Sequence, residues 1–153
     1  MSQAAATIAL IGNPNTGKSS LFNALCGGNA RVGNYPGVTV EHKTGRLSLP
    51  RDPGSTAAQV EIVDLPGTYS LAARSADEAV SVDVLSGAMS GVRRPDAVIV
   101  IADATNVERN LYLFSQVIEL GLPTLLVLNM WDRVSSLGIK VDADGLSRQL
   151  GVP

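Results

Sequence analysis

One cysteine and one histidine are all this sequence offers of thiol and imidazole ligands. A single thiol, Cys26, excludes an internal disulfide, and with His42 as the lone imidazole a zinc site has too few ligands. Strong charge is missing too: the formal net charge is −2, which gives no long-range attraction for nucleic acid or anionic lipid. No apolar run reaches the roughly 18 residues that a membrane helix needs. The runs Ala97 to Ala102 and Thr124 to Leu128 are short and read as buried strands. Met1 to Thr7 lacks the basic region and apolar stretch of a secretory leader. What remains is a hydrophobic share of 45% and a charged share of 17% over 153 residues, enough for one domain with a real core. A soluble cytoplasmic domain is expected.

Apolar strand-like runs alternate with helix-like segments along the chain. Ile8 to Ile11, Val60 to Val63, Val98 to Ile101 and Leu125 to Leu128 read as strands, as does His42 to Leu49. Ser19 to Leu25, Ala76 to Met89 after a cap at Ser75, Val107 to Leu120 after a cap at Asn106, and Ala143 to Leu150 read as helices. Gly121 and Pro123 stop the third of these. Ala30 to Thr39 is rich in Gly, Asn and Pro and is expected to be a loop; Pro50 to Ala57 is expected to be a turn. Runs apolar on both faces predict a mostly parallel sheet with helices on both sides.

The strongest motif is Gly12-Asn13-Pro14-Asn15-Thr16-Gly17-Lys18-Ser19, between a strand and a helix, with Ser20 next. It fits the phosphate-loop pattern G-x-x-x-x-G-K-S/T in the context the pattern requires. Glycines let backbone N–H groups turn towards phosphates, and the helix start adds positive potential. Lys18 is expected to reach the β- and γ-phosphates and the Ser19 hydroxyl to ligate Mg²⁺. An ordinary glycine turn is the plain alternative, and the strand and helix on either side weigh against it.

Two further motifs follow in order. Asp64-Leu65-Pro66-Gly67 ends a strand roughly 45 residues further on, where a carboxylate can hold the metal through water and the Gly67 N–H can sense the γ-phosphate. Asn129-Met130-Trp131-Asp132 ends another strand. The carboxylate of Asp132 can accept from the N1–H and 2-amino groups of guanine, which adenine does not present there. Asn129 would tie this loop to the phosphate loop. Either motif alone is a common turn; three in the right order select a guanine nucleotide. In Gly37-Val38-Thr39, Thr39 is the best candidate for a switch threonine that joins Mg²⁺ only with GTP; the plain alternative is a β-branched residue opening a strand. Thr44 and Thr56 are poorer candidates.

Thr68 stands where Ras carries the glutamine that orients water. Hydrolysis is therefore slow or assisted differently. Arg31 could act as an internal arginine finger, though a solvated loop charge suits it better. Asn15 is better placed: its amide oxygen could hold a monovalent cation beside the β–γ bridge, the plain alternative being a turn asparagine. Cys26 reads as a buried helix residue, His42 as a strand surface residue and Trp131 as packing over the base loop.

Gly12 to Leu25, Val32 to Glu41 and Asp64 to Leu71 together resemble the G domain of the ferrous iron transport protein B family, the loop Val32 to Glu41 most specifically. Asn129 to Asp132 and Leu137 to Asp142 fit as well, so the resemblance covers nearly the whole chain. It implies a potassium-stimulated GTPase in which Asn15, with the backbone carbonyls of Gly33 and Tyr35, holds K⁺. It also implies a cytoplasmic position on a bacterial inner-membrane Fe²⁺ transporter, followed by a helical spacer and a transmembrane region that could bring oligomers.

The sequence thus predicts an α/β P-loop fold of the small-GTPase type, one G domain over residues 1–153. Numbering the five expected strands in order gives 2-3-1-4-5, with a sixth strand, a last helix and the fifth guanine-contacting loop expected beyond Pro153. GTP or GDP, Mg²⁺ and K⁺ are the expected ligands; no nucleic-acid partner is expected. Two rivals are a ribosome-assembly GTPase, which would need a basic RNA-binding appendage, and a guanine-nucleotide switch that does not hydrolyse.

Overall fold

A computed structural model of the chain describes residues 5–50 and 58–153. Of the turn expected over Pro50 to Ala57, residues 51–57, and Thr56 with them, lie outside the described residues. The elements run β1 (Ala6–Gly12), α1 (Lys18–Cys26), a 3-10 turn (Gly27–Asn29), β2 (Arg31–Asn34), β3 (Glu41–Leu49), β4 (Ala58–Asp64), α2 (Ala76–Ser86), β5 (Ala97–Asp103), α3 (Val107–Ile118), β6 (Thr124–Asn129), α4 (Trp131–Ser136) and α5 (Ala143–Leu150). One six-stranded sheet has the order β2-β3-β4-β1-β5-β6. The five expected strands stand in the expected order, with β2 added at one edge. β1 pairs in parallel with β4 and β5, and β5 with β6, while β2–β3 and β3–β4 are antiparallel.

The pleat explains the apolar runs. Ala9 and Ile11 point to one face, where Val63, Leu65, Val98 and Val100 meet Val84 and Leu85 of α2 and Leu113, Phe114 and Val117 of α3. Leu10 points to the other, where Ile62 and Ile101 meet Phe22 and Cys26 of α1. A central strand buried on both sides must be apolar at successive positions. Each large apolar side chain so buried contributes about 1.5–3 kcal/mol. Cys26 is buried, as its place in a helix suggested.

Caps fix two helix starts. The Ser75 hydroxyl accepts from Glu78 N at 3.2 Å, and the Asp142 carboxylate accepts from Gly145 N at 2.8 Å. Asn106 is different: it occupies the cap position of α3, but its side chain makes no capping bond. The turn before it is closed by Asp103, whose Oδ1 accepts from both the N–H (2.8 Å) and the hydroxyl (2.6 Å) of Thr105. Two elements were not expected, β2 inside the Gly- and Pro-rich loop and the short α4 after the base motif. Beyond α5 the chain returns to the sheet, where the Pro153 carbonyl accepts from Leu126 N at 3.0 Å. Among the described residues no helix is long and apolar enough to cross a membrane.

Candidate nucleotide site

The C-terminal ends of β1, β4 and β6 carry the three motifs; β4 lies beside β1, and β6 lies one strand further on, across β5, so all three open at the same end of the sheet. The phosphate loop opens α1 through Gly17, whose φ of 84° is left-handed. That backbone suits glycine. A Cβ at Gly17 would also collide with the Asn129 amide. The Thr16 hydroxyl closes the loop from inside, donating to the Asn13 carbonyl at 2.9 Å. A Cβ at Gly12 would come within 2.5 Å of the Ile101 carbonyl, so β5 presses directly on the loop's first residue. Asn15 lies exposed with φ 64°, a left-handed conformation that asparagine tolerates better than most residues.

The second motif is bolted to the first. Leu65 N donates to the Leu10 carbonyl at 3.0 Å, and Thr68 N to the Gly12 carbonyl at 3.1 Å. Gly67 consequently sits against Pro14, with a Cβ there only 3.4 Å from Pro14 Cα. Asp64 is buried, and Lys18 Nζ donates to its Oδ1. Lys18, Thr39, Asp64, Leu65 and Pro66 line one cleft of about 250 Å³. Glu41, Lys43 and Asp77 line it as well. Ser19 and Ser20 stand exposed on the first turn of α1.

The third motif is clamped from the far side. Asn129 Nδ2 donates to the Thr16 carbonyl at 2.7 Å across 113 residues of sequence. The tie expected of Asn129 to the phosphate loop is therefore in place. Its own carbonyl accepts from Ala104 N at 2.9 Å. Met130, with φ 60°, makes the sharp turn into α4, and Trp131 and Asp132 are exposed in its first turn. Trp131 also lines an apolar recess with Leu126, Leu128, Leu146 and Leu150.

The switch loop departs from expectation. Arg31–Asn34 is a strand, paired in register with β3 from Arg31↔Thr44 to Asn34↔Glu41. Gly33 is thus part of a ladder. Tyr35 N donates to the Val40 carbonyl (3.0 Å), and Val38 N donates to the Tyr35 carbonyl (3.3 Å). Gly37 turns this tip with φ 76°, and Thr39 is exposed beside it. Asn15, Gly33 and Tyr35 are not gathered around one point by any of these contacts. Arg31 is exposed on β2, in a cleft with Arg46 and Glu61 rather than with the phosphate loop. His42 is not a plain surface residue: its ring stacks on Tyr35, centroids 4.3 Å apart, and burial lowers its pKa from 6.5 against an opposing pull from Glu61.

Thr68 is buried, and its hydroxyl donates to the Ser70 carbonyl at 2.6 Å with Glu78 Oε1 3.1 Å away. Glu78 Oε2 accepts from Arg74 N at 2.8 Å. These bonds, the Arg74 one foremost, hold the Glu78 carboxyl below its usual range. Sequence reasoning passed over Glu78, although Ser75 and a glutamate three residues later form the capping-box pattern that marks it. Leu71 N donates to Gln116 Oε1 at 2.8 Å, and Arg109 lies 4.5 Å over the Tyr69 ring, so α3 holds the same segment.

Among the described residues no group of three or more His, Cys, Asp or Glu could hold a metal. The donors present fit Mg²⁺ shared with phosphate instead: one buried carboxylate, Asp64, and the hydroxyls of Ser19 and Thr39, near the lysine that phosphates would engage. The phosphate-loop G-domain fold and this arrangement recur in known proteins. The sequence profile described as ferrous iron transport protein B matches residues 6–153.

The chain belongs to the ferrous iron transport protein B family.

The Fe(2+) transporter FeoB of Escherichia coli K12 is 47% identical over 152 residues, covering 96% of this chain and 18% of that protein. The chain thus spans less than a fifth of the curated FeoB proteins it matches. A mutant of S. thermophilus NFeoB bound to mGDP superposes with a TM-score of 0.86 at 47% identity, covering 98% of this chain and 53% of that one. The cytosolic domain of the T. maritima FeoB iron transporter in a GDP form gives 0.86 at 38% identity, covering 100% and 56%. The cytosolic domain of L. pneumophila FeoB gives 0.84 at 46% identity, covering 96% and 54%.

Proposed function

We propose that this chain binds GTP and GDP and hydrolyses GTP to GDP and phosphate, as the cytoplasmic regulatory domain of a bacterial Fe²⁺ transporter. The observation that carries the reading is the bond from Asn129 to the Thr16 carbonyl, which locks a guanine-type base loop to a phosphate loop. Asp132 selects guanine. The phosphate-loop N–H groups and Lys18 bind the β- and γ-phosphates. Water attacks the γ-phosphorus, the bond to the β–γ bridging oxygen breaks, and GDP departs with that electron pair. Mg²⁺, when held by Ser19, Thr39 and, through water, Asp64, supplies charge neutralisation at the phosphates. K⁺ would be held by Asn15 with the Gly33 and Tyr35 carbonyls once the loop brings them together, and would supply further positive charge to the phosphates. Thr39 and Gly67 report loss of the γ-phosphate to their loops. A helical spacer and a transmembrane region of the parent protein receive that signal and set its oligomeric contacts.

Calorimetric titration with GDP and ADP, followed by single-turnover phosphate release from GTP with Mg²⁺ in KCl, tests the reading. Strong preference for GDP with phosphate release is expected. Equal affinity for ADP would remove the guanine assignment. Stoichiometric GTP binding without phosphate release would leave a switch that does not hydrolyse, a reading favoured by the occupied Thr68 hydroxyl.

A further inference from the structure

Tyr35 is the largest fully buried side chain among the described residues, although it lies in an otherwise exposed loop. Its ring joins the core cluster that contains Val40, Leu65, Val80 and Val84, and it stacks on His42. Pro36 follows it against the backbone at Gly91, where a Cβ would lie 3.7 Å from the proline ring. The same loop supplies β2, a strand of four residues held by β3 alone, with Val32 63% exposed. So short an edge strand has little hold of its own. Its position depends on the side chain that follows it into the core.

That anchor carries a cost within it. The Tyr35 hydroxyl and His42 Nε2 are both buried without a hydrogen-bond partner. Burial of the rings and their stacking favour the docked state, while two desolvated polar atoms oppose it. The balance of these opposing terms sets how firmly the contact holds the loop.

We infer that Tyr35 and His42 form a latch that keeps the switch loop on the sheet edge as β2, and that releasing this stack frees the loop to move towards the phosphate loop. While latched, Gly33 sits in the strand ladder and the Tyr35 carbonyl receives Val38 N. The consequence for catalysis rests on the proposed K⁺ site, because those two carbonyls are needed there. The latch itself does not depend on it.

The test uses this chain, first free of nucleotide and of K⁺. Hydrogen exchange of the amides over Arg31–Asn34 reports the latch directly. His42→Ala removes the stacking partner, and exchange there should quicken by about three- to tenfold. Tyr35→Phe and His42→Phe keep the rings and delete one orphaned polar atom each, and exchange should slow by a similar factor. These opposite signs separate a latch from general loosening, and the two ring-retaining variants answer the question if His42→Ala fails to fold. Unchanged exchange in all three, or quickening in all three, overturns the latch. A second arm measures GTP hydrolysis against K⁺: the half-saturating K⁺ should fall in His42→Ala and rise in Tyr35→Phe. Equal wild-type rates in K⁺ and Na⁺, with the exchange shifts intact, would overturn the K⁺ site and leave the latch standing.

Discussion

Lys18 Nζ donates to Asp64 Oδ1, with the two side chains only 11% and 7% exposed. In the proposed function the lysine serves phosphate and the aspartate serves the metal, so each would hold the other's ligand position. On that reading, binding of guanine nucleotide with Mg²⁺ would exchange this ion pair for two new partnerships. The pair compensates both buried charges, either of which would be costly in isolation.

A prediction follows for Asp64→Asn. Without Mg²⁺, the substitution frees Lys18 and removes a negative charge beside the phosphates. GDP affinity in EDTA should rise by about tenfold, the scale of one charged hydrogen bond. With Mg²⁺ the gain should vanish, because the metal has lost its carboxylate. Calorimetry in the two buffers checks it; a loss of GDP affinity in EDTA would mean that Asp64 does not restrain Lys18.

The three motifs were legible in the sequence, and the structure brings their segments together through the Thr68 N–H on the Gly12 carbonyl and the Asn129 amide on the Thr16 carbonyl. A phosphate needs consecutive inward N–H groups, so the loop Gly12 to Ser19 cannot vary its spacing much. The central strands were legible because Ile8 to Ile11 and Val98 to Ile101 are covered on both faces. β2 was not, since Arg31-Val32-Gly33-Asn34 reads locally as a turn and becomes a strand only because β3 offers an edge. α4 was hidden by its shortness and by the left-handed Met130 that starts it. The burial of Tyr35 and the stacking of His42 depend on how the loop folds back on the sheet, which no local pattern encodes.

Thr39 lines the cleft with Lys18 and Asp64 and is exposed, so its hydroxyl is available to a ligand. Thr39→Ala should leave GDP affinity within about twofold, a surface-substitution effect. Hydrolysis should be lost or slowed by about a hundredfold or more, as for a group that acts on the transition state. Separate GDP titrations and single-turnover GTP assays check both halves. Equal losses for GDP and GTP would make Thr39 a structural residue of the loop.

Asp132 stands exposed in the first turn of α4, next to the loop that Asn129 clamps. Asp132→Asn replaces one acceptor by a donor facing the donors of guanine. GDP affinity should fall by roughly 2–4 kcal/mol, while xanthosine diphosphate, which offers an acceptor there, should gain relative to it. A two-nucleotide calorimetric comparison decides. An unchanged ratio would remove Asp132 from base recognition.

Asn15 presents the sharpest test of how this chain offsets a missing glutamine. Thr68 is committed to the Ser70 carbonyl and to Glu78, so its hydroxyl is not free to orient water. If the chain hydrolyses GTP as proposed, charge building on the β–γ bridging oxygen would have to be met by another group. Asn15 is exposed on the phosphate loop, where its amide oxygen can share a desolvated cation with the phosphates. Such an ion must shed most of its water, so K⁺ should raise turnover and Na⁺ should do so poorly at equal ionic strength. The left-handed φ of 64° complicates a simple alanine substitution, because alanine there adds backbone strain of its own, about 1 kcal/mol. Asn15→Gly removes the amide and relieves that strain. Both Asn15→Ala and Asn15→Gly should abolish the difference between KCl and NaCl. Asn15→Gly should also keep GDP affinity within about threefold of wild type, since the loop's N–H groups remain in place. If Asn15→Gly retains potassium stimulation and only Asn15→Ala loses it, the amide is not a ligand and the effect belongs to the backbone. Arg31→Ala would then become the informative substitution, with the prediction that it changes nothing, because Arg31 lies on β2 in a cleft with Arg46 and Glu61, away from the phosphate loop.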